Sequence, residues 1–223
     1  MIERYKTILK PAEIEIFEKK SQFIGHAFPV MSEEEAMERL GVIRKIHAKA
    51  THNCWAWHVA GDGGKNHAAM SERQSDDGEP SGTAGMPMLD YLKKAGLKNV
   101  LVVVTRYYGG ILLGTGGLVR AYGKAAKEAT EAACIIEKIL HAKLHISVPY
   151  TLGGKLEYEL HKGGQIIHDT IYADNMTFVV LTEHHQAENL TNHIINITAN
   201  AAAIFAQPSV YCADVGGKMT IIT

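Results

Sequence analysis

The densest chemistry in this 223-residue chain lies between Thr105 and Arg120, where an apolar run gives way to Arg106, Tyr107, Tyr108, Gly109 and Gly110, followed after three apolar residues by Gly114, Thr115, Gly116 and Gly117. A strand, a glycine loop and a helix start are what a phosphate cradle needs, because unpaired backbone N–H groups converge there. The detailed signatures fail. Gly109 to Gly114 has the gap of a P-loop, but Thr115 and Gly116 stand where Lys and Ser/Thr would hold the terminal phosphates and a metal ion. The dinucleotide fingerprint fails as well, since Val119 occupies the place of its third small residue. The same residues suit another chemistry. Tyr107 and Tyr108 offer faces for stacking, and Arg106 and Arg120 offer guanidinium groups for phosphate, the combination that meets single-stranded or structured RNA.

A second cluster, Ser75 to Thr83, places Asp76, Asp77 and Glu79 within four positions, close to Thr83. Carboxylates so spaced can bind a hard cation, yet the alternation and closing Glu of a calcium loop are missing, and Asp and Ser in such loops commonly turn back on their own backbone. His47 with His52, and His184 with His185, do not have zinc spacing. Cys54 follows His52 and Asn53, but nothing beside it in sequence would activate a thiol, and it reads as a core residue. No Gly-x-Ser-x-Gly elbow occurs. Two functions emerge. One is a non-enzymatic RNA or ribosome binder using Arg106, Tyr107, Tyr108, Gly109, Gly110, Gly114, Thr115, Gly116 and Arg120, with His52, Asp76, Asp77, Glu79 and Thr83 alongside. The other is an enzyme or nucleotide or phosphate binder built from the acidic 75–85 loop and the 109–117 glycine turn. No cofactor or metal is expected in either.

The elements that hold these residues follow from periodicity. Residues 12–18 and 23–30 read as two strands joined at Lys19, Lys20 and Ser21. Ser32 with Glu35 forms a capping box that opens a helix over about 33–48. Cys54 to Ala60 is a strand with Trp55 and Trp57 on one face, and residues 61–85 carry no apolar periodicity and are expected to be loop. Pro87 begins a short helix that stops at Gly96. Val100 to Val104 is a continuous apolar run and therefore a central strand, and a long Ala-rich helix covers about 117–134. Beyond it, a strand ending at Pro149, a helix over 152–161, a hairpin of 165–172 and 176–182, a helix over 185–198 and a last strand over 204–213 give the order βαββαβ of the ferredoxin-like fold. Pro208 should make that last strand an edge.

Composition bounds the partners. Lys+Arg total 23 against 24 Asp+Glu, a net charge of -1 that argues against a wholly basic nucleic-acid wrapper and a polybasic membrane binder. Division of the chain shows an asymmetry: residues 1–135 hold 18 basic and 16 acidic side chains, and residues 136–223 hold 5 and 8, with seven of the 12 histidines. The expected division is 1–136 and 137–223. Three scattered cysteines, no apolar run of membrane length and no apolar core near Met1 point to a cytoplasmic protein.

Three blocks resemble the IMPACT (YigZ) family: His52 to Ala56; Ser75 to Gly85; and Val102 to Gly110 followed by Leu113 to Leu118. Tyr108 stands where the family often has phenylalanine. The resemblance covers nearly the whole chain and is that of a bacterial member. It implies an α+β protein with two parts. The N-terminal α/β domain would be similar to ribosomal small-subunit protein five and elongation factor G domain four, and the C-terminal ferredoxin-like domain to domain five of that factor. Members are assigned to translation regulation. The eukaryotic protein's restraint of a starvation-activated initiation kinase does not transfer to bacteria, which leaves RNA or ribosome binding, with a translation-related protein as a further partner and no membrane.

Overall fold

The computed structural model describes residues 1–61 and 70–222. The chain divides into two compact units, Met1–Glu137 and Lys138–Thr223. The first contains β1 (Arg4–Ile8), β2 (Ala12–Glu18), β3 (Ser21–Pro29), α1 (Glu33–Ile46), β4 (His52–Val59), β5 (Ser71–Ser75), α2 (Gly85–Lys94), β6 (Val100–Tyr107) and α3 (Thr115–Ala132). β7 (Ile135–Val148) leads into the second, followed by α4 (Tyr150–Lys162), β8 (Ile166–Tyr172), β9 (Met176–Glu183), a single 3-10 turn, α5 (Ala187–Ile197), β10 (Ala203–Val215) and β11 (Lys218–Ile222). No helix among the described residues is long and apolar enough to cross a membrane.

The first unit's main sheet has the order β2-β3-β6-β4-β5, which puts the valine-rich strand in the middle as its composition requires. Val100, Val102 and Val104 face a core with α2 and α3, while Leu101 and Val103 face a second core with α1. Close approach of α3 to the sheet depends on small side chains: Ala121, Ala125, Ala126 and Ala129 are buried, and a Cβ on Gly25 would lie 2.9 Å from the Ala125 carbonyl oxygen. The α1 start is capped as expected. Ser32 Oγ accepts from the Glu35 amide at 3.2 Å, while the Glu35 carboxylate reaches back to the Met31 amide at 2.9 Å.

Three strands escape sequence periodicity. β1 is one. β5 lies inside the stretch expected to be loop, of which 62–69 fall outside the described residues. Its residues Ser71 to Ser75 have no apolar alternation, and it forms as an edge strand through ladder pairing with β4, its Arg73 guanidinium 5.6 Å from the Trp57 ring. β11 is the third.

The second unit's strand order β10-β7-β9-β8, with α4 and α5 sharing one apolar core, is the βαββαβ arrangement. The edge expectation holds where Pro208 sits and is corrected beyond it: β10 pairs with β7 over Ala203–Cys212, and β11 joins its other side only from Tyr211 to Val215. Proline is accommodated because the register slips between Gln207 and Val210, a bulge that relieves the ladder of the missing N–H.

Candidate functional site

The site grows from one row of the N-terminal sheet. Register places Phe23 of β3, Arg106 of β6 and His52 of β4 side by side. Because side chains alternate along a strand, Arg106 continues the inward row of Val102 and Val104 while Tyr107 points to the other face. Arg106 is 5% exposed; its Nη1 donates to Glu79 Oε1 at 2.7 Å and its Nη2 to Ser21 Oγ at 3.2 Å. Its guanidinium carbon lies 5.3 Å from the Phe23 ring centre and 5.4 Å from that of Tyr108. Tyr107 is half-buried, and its hydroxyl lies 3.0 Å from His47 Nδ1.

The acidic loop is committed to the fold. Asp76 accepts amide hydrogens from Gly82, Ala84 and Gly85 at 2.8 to 2.9 Å, which supplies the start of α2 with the carboxylate that Ala84 lacks. Its burial acts to raise the carboxyl pKa, and the three amide donors outweigh that and hold it below the ordinary value. Asp77 accepts from the Asn53 amide at 2.7 Å and from Arg44 at 2.9 Å. Glu79, 8% exposed, accepts from Arg106 and, at 2.8 Å, from the Tyr122 hydroxyl. His52 Nδ1 donates to the Asp77 carbonyl at 2.8 Å, and its Nε2 is 3.8 Å from Glu79. Thr83 is buried and donates to the Pro80 carbonyl. Cys54 donates to the Asp76 carbonyl at 2.9 Å; burial pushes its thiol far up, which suits a core residue and not a nucleophile. Among the described residues no cluster of three or more His, Cys, Asp or Glu side chains is arranged to hold a metal ion.

The glycine loop crosses above this network. A Cβ on Gly109 would fall 2.0 Å from the Lys20 carbonyl oxygen, so the chain can pass the β2–β3 turn only as glycine. Gly110 and Gly114 have φ of 83° and 72°, the left-handed region. α3 then begins with Gly114 as its N-cap, no capping side chain and no acidic residue in its first turn. The result is a cleft of about 430 Å³ whose floor and walls include His52, Glu79, Arg106, Tyr108, Leu112, Leu113, Gly114, Thr115 and Leu118. Tyr108 is 45% and Leu112 82% exposed. Arg120, one turn into α3, instead lines an adjoining hollow with Lys19 and Lys124 that shares Leu113; its Nη1 lies 3.6 Å from where a Cβ on Gly116 would sit.

Of the residues singled out from sequence, His52, Glu79, Arg106, Tyr108, Gly114 and Thr115 therefore meet in one cleft. Asp76, Asp77 and Thr83 build the loop beneath it, Gly109 and Gly110 shape its rim, Gly116 lies in the first turn of α3 and Arg120 in the second, and Tyr107 sits on the opposite face. The arrangement can bind an anion at the helix start and a flat apolar group on Tyr108. Sequence reasoning missed Leu112, Leu113 and Leu118, whose spacing looks like ordinary loop and helix-core residues, and Ser21 and Tyr122, whose hydroxyls complete the Arg106–Glu79 pair.

Comparison with known proteins adds the lineage of this site. The Impact N-terminal domain matches residues 19–130, which includes every residue of the cleft, and a domain of unknown function, DUF1949, matches residues 146–201. The IMPACT family member YvyE of Bacillus subtilis strain 168 is 40% identical over 198 residues, 89% of this chain and 88% of that one. The IMPACT family member YigZ of Escherichia coli K12 is 47% identical over 114 residues, 50% of this chain and 52% of its own length. A crystal structure of a hypothetical protein, 29% identical, covers 93% of this chain and 99% of its own at a TM-score of 0.58. With a family model over residues 19–130 and a relative 40% identical over 89% of its length, the chain belongs to the IMPACT family.

Proposed function

We propose that this protein is a non-enzymatic, translation-associated regulator that binds RNA, within the ribosome or free, through its N-terminal unit. The observation that carries the reading is the pair of hollows that share Leu113, where a half-exposed tyrosine and an uncapped helix start adjoin the three cations Lys19, Arg120 and Lys124, which outnumber the single carboxylate, Glu18, beside them. Phosphates are held by such cations and helix starts, and unstacked bases by such an aromatic face. Family membership supports the translational role, and the likeness to ribosomal and elongation-factor domains that the resemblance implies belongs to the same reading. The engagement of Asp76, Asp77 and Glu79 within the fold favours binding over acid–base catalysis.

Cosedimentation with ribosomes across a salt series tests it. Association should be strong at low salt and fall steeply as salt rises, and Arg120→Ala should both weaken it and flatten its salt dependence by about one phosphate contact. Tyr108→Ala should weaken it at every salt concentration. Absence of cosedimentation at low salt, or binding that ignores salt, overturns the proposal.

A further inference from the structure

The β2–β3 hairpin turns on two residues only, since Glu18 pairs with Ser21, and both are lysines: Lys19 with φ 44° and Lys20 with φ 68°. Two-residue turns with positive φ at both positions favour Asn-Gly, because a residue with a Cβ is strained there. Strain kept at such a place points to a use for the side chains themselves. Both lysines are exposed, and Lys19 lines one hollow with Arg120 and Lys124 against the single carboxylate of Glu18. Lys124 lies 3.8 Å from Glu128, whereas Lys19, Lys20 and Arg120 enter no ion pair among the described residues. The glycine loop comes down on this same turn. A Cβ on Gly109 would fall 2.0 Å from the Lys20 carbonyl oxygen, and from that fixed point, between Gly110 and Gly114 with their positive φ, the chain presents Ile111 and Leu112. Ile111 is 41% exposed and Leu112 82%, the highest value among the large apolar side chains described. An apolar tip that stands clear of the surface contributes nothing to the fold, since only its removal from water would be favourable.

We infer that Ile111 and Leu112 form an apolar wedge that enters a base step of structured RNA, while Lys19, Lys20 and Arg120 hold the phosphates beside it. The inference rests on the RNA-binding reading and adds how the RNA is gripped: one step is partly unstacked, and the cations secure the backbone that the opening displaces. Aliphatic side chains are a recurrent means of such insertion. A lipid surface fits less well, because two aliphatic side chains make a small anchor beside the continuous apolar face of an interfacial helix. A protein interface fits less well too, since lysine is depleted in such surfaces.

The test is chemical probing of ribosomal RNA with the full chain bound to ribosomes at low salt, where 2′-hydroxyl acylation reads unstacked nucleotides and hydroxyl radicals read covered backbone. The wild-type chain should raise acylation at one base step within a stretch of backbone protection. Leu112→Ser changes an exposed position and leaves the fold intact; it should abolish the raised acylation, keep the protection and weaken association about tenfold, the scale of one leucine side chain returned to water. Leu112→Met should behave as wild type. Lys19→Asn with Lys20→Gly gives the turn the residues its geometry favours, so that variant should melt no lower than wild type while its ribosome association weakens and the salt dependence flattens by about two phosphate contacts. Protection without raised acylation, raised acylation that persists in Leu112→Ser, or a turn variant that melts lower or associates as well as wild type overturns the inference and leaves the RNA-binding reading standing. Absence of ribosome association at low salt overturns both. Capture by phosphatidylglycerol vesicles that Leu112→Ser abolishes, without a footprint on RNA, assigns the tip to a lipid surface and overturns the wedge.

Discussion

At the residue scale the decisive pair is Arg106 with Glu79. Both are buried, both are charged, and the carboxylate also takes the Tyr122 hydroxyl while the guanidinium takes Ser21. Removal of one member strands the other, which costs about 3–5 kcal/mol, whereas replacement of both by apolar residues costs less. Arg106→Met should therefore lose about that much stability, and the double variant Arg106→Met with Glu79→Leu should recover part of it. Urea unfolding followed by tryptophan fluorescence reads this cleanly, because the chain's two tryptophans, Trp55 and Trp57, both lie in the N-terminal unit. Equal losses in the single and double variants would show that shape, not charge, is what Arg106 provides. An arginine beside two tyrosines reads in sequence as a surface for phosphate. Its partner stands 27 positions earlier, and only β4–β6 register and the path of the 75–85 loop bring the two together.

At the scale of elements, α3 starts on a glycine cap with no capping side chain and no acid in its first turn. Gly116→Glu places an acid in its first turn, pairs it with Arg120 and replaces glycine by a better helix former. The gain should be about 1 kcal/mol, a rise of about 2–4 °C in Tm for a chain of this length, and under the proposed function ribosome cosedimentation should weaken at the same time. A melt that does not rise would mean that the start of α3 is already satisfied within the fold. Much of this level was legible beforehand: the β2–β3 pair, the capped α1, the central β6 and the βαββαβ order all follow from period, caps and glycine stops. β5 was not, because an edge strand with polar residues on both faces is held by ladder bonds that leave no apolar pattern. The bulge at Pro208 was not either, since a bulge that absorbs a missing N–H depends on the neighbouring strands and not on the residues around the proline. The acidic loop read as a turn, correctly in kind, but its clasp on the α2 start through Asp76 involves amides six to nine residues away and left no separate signal.

For the whole molecule, charge and pH act unevenly. Residues 1–135 carry a formal +2 and residues 136–223 a formal -3, so the proposed binding surface lies on the more basic part. The N-terminal unit also holds His26, 2% exposed, whose pKa is lowered from 6.5 to about 4 by burial first, with Glu13 at 3.3 Å opposing the shift and His47 adding to it. The folded state thus resists a proton that the unfolded chain accepts between those values. Its contribution is complete above pH 6.5 and is lost as pH falls toward 4, by about 3 kcal/mol in all. Stability of the N-terminal unit should decline over that interval, and His26→Gln should flatten the decline; an unchanged profile in the variant would assign the acid sensitivity to other groups.

The strand order of the first sheet has a consequence for the chain's synthesis. β6 lies between β3 and β4, and pairs Gln22 with Tyr107 across 85 residues. β2 to β5 are made first, yet their sheet has no middle until Val100–Tyr107 follows, and one of its two cores has only α2 as cover until α3 follows. Non-local pairing of this kind is slow, because loop closure precedes the contacts that reward it. During translation the N-terminal unit therefore stays open until about residue 132 has left the ribosome, and the last segment to seal it is the glycine loop and helix that make the cleft. A nascent chain completes this fold and its cleft in the same step.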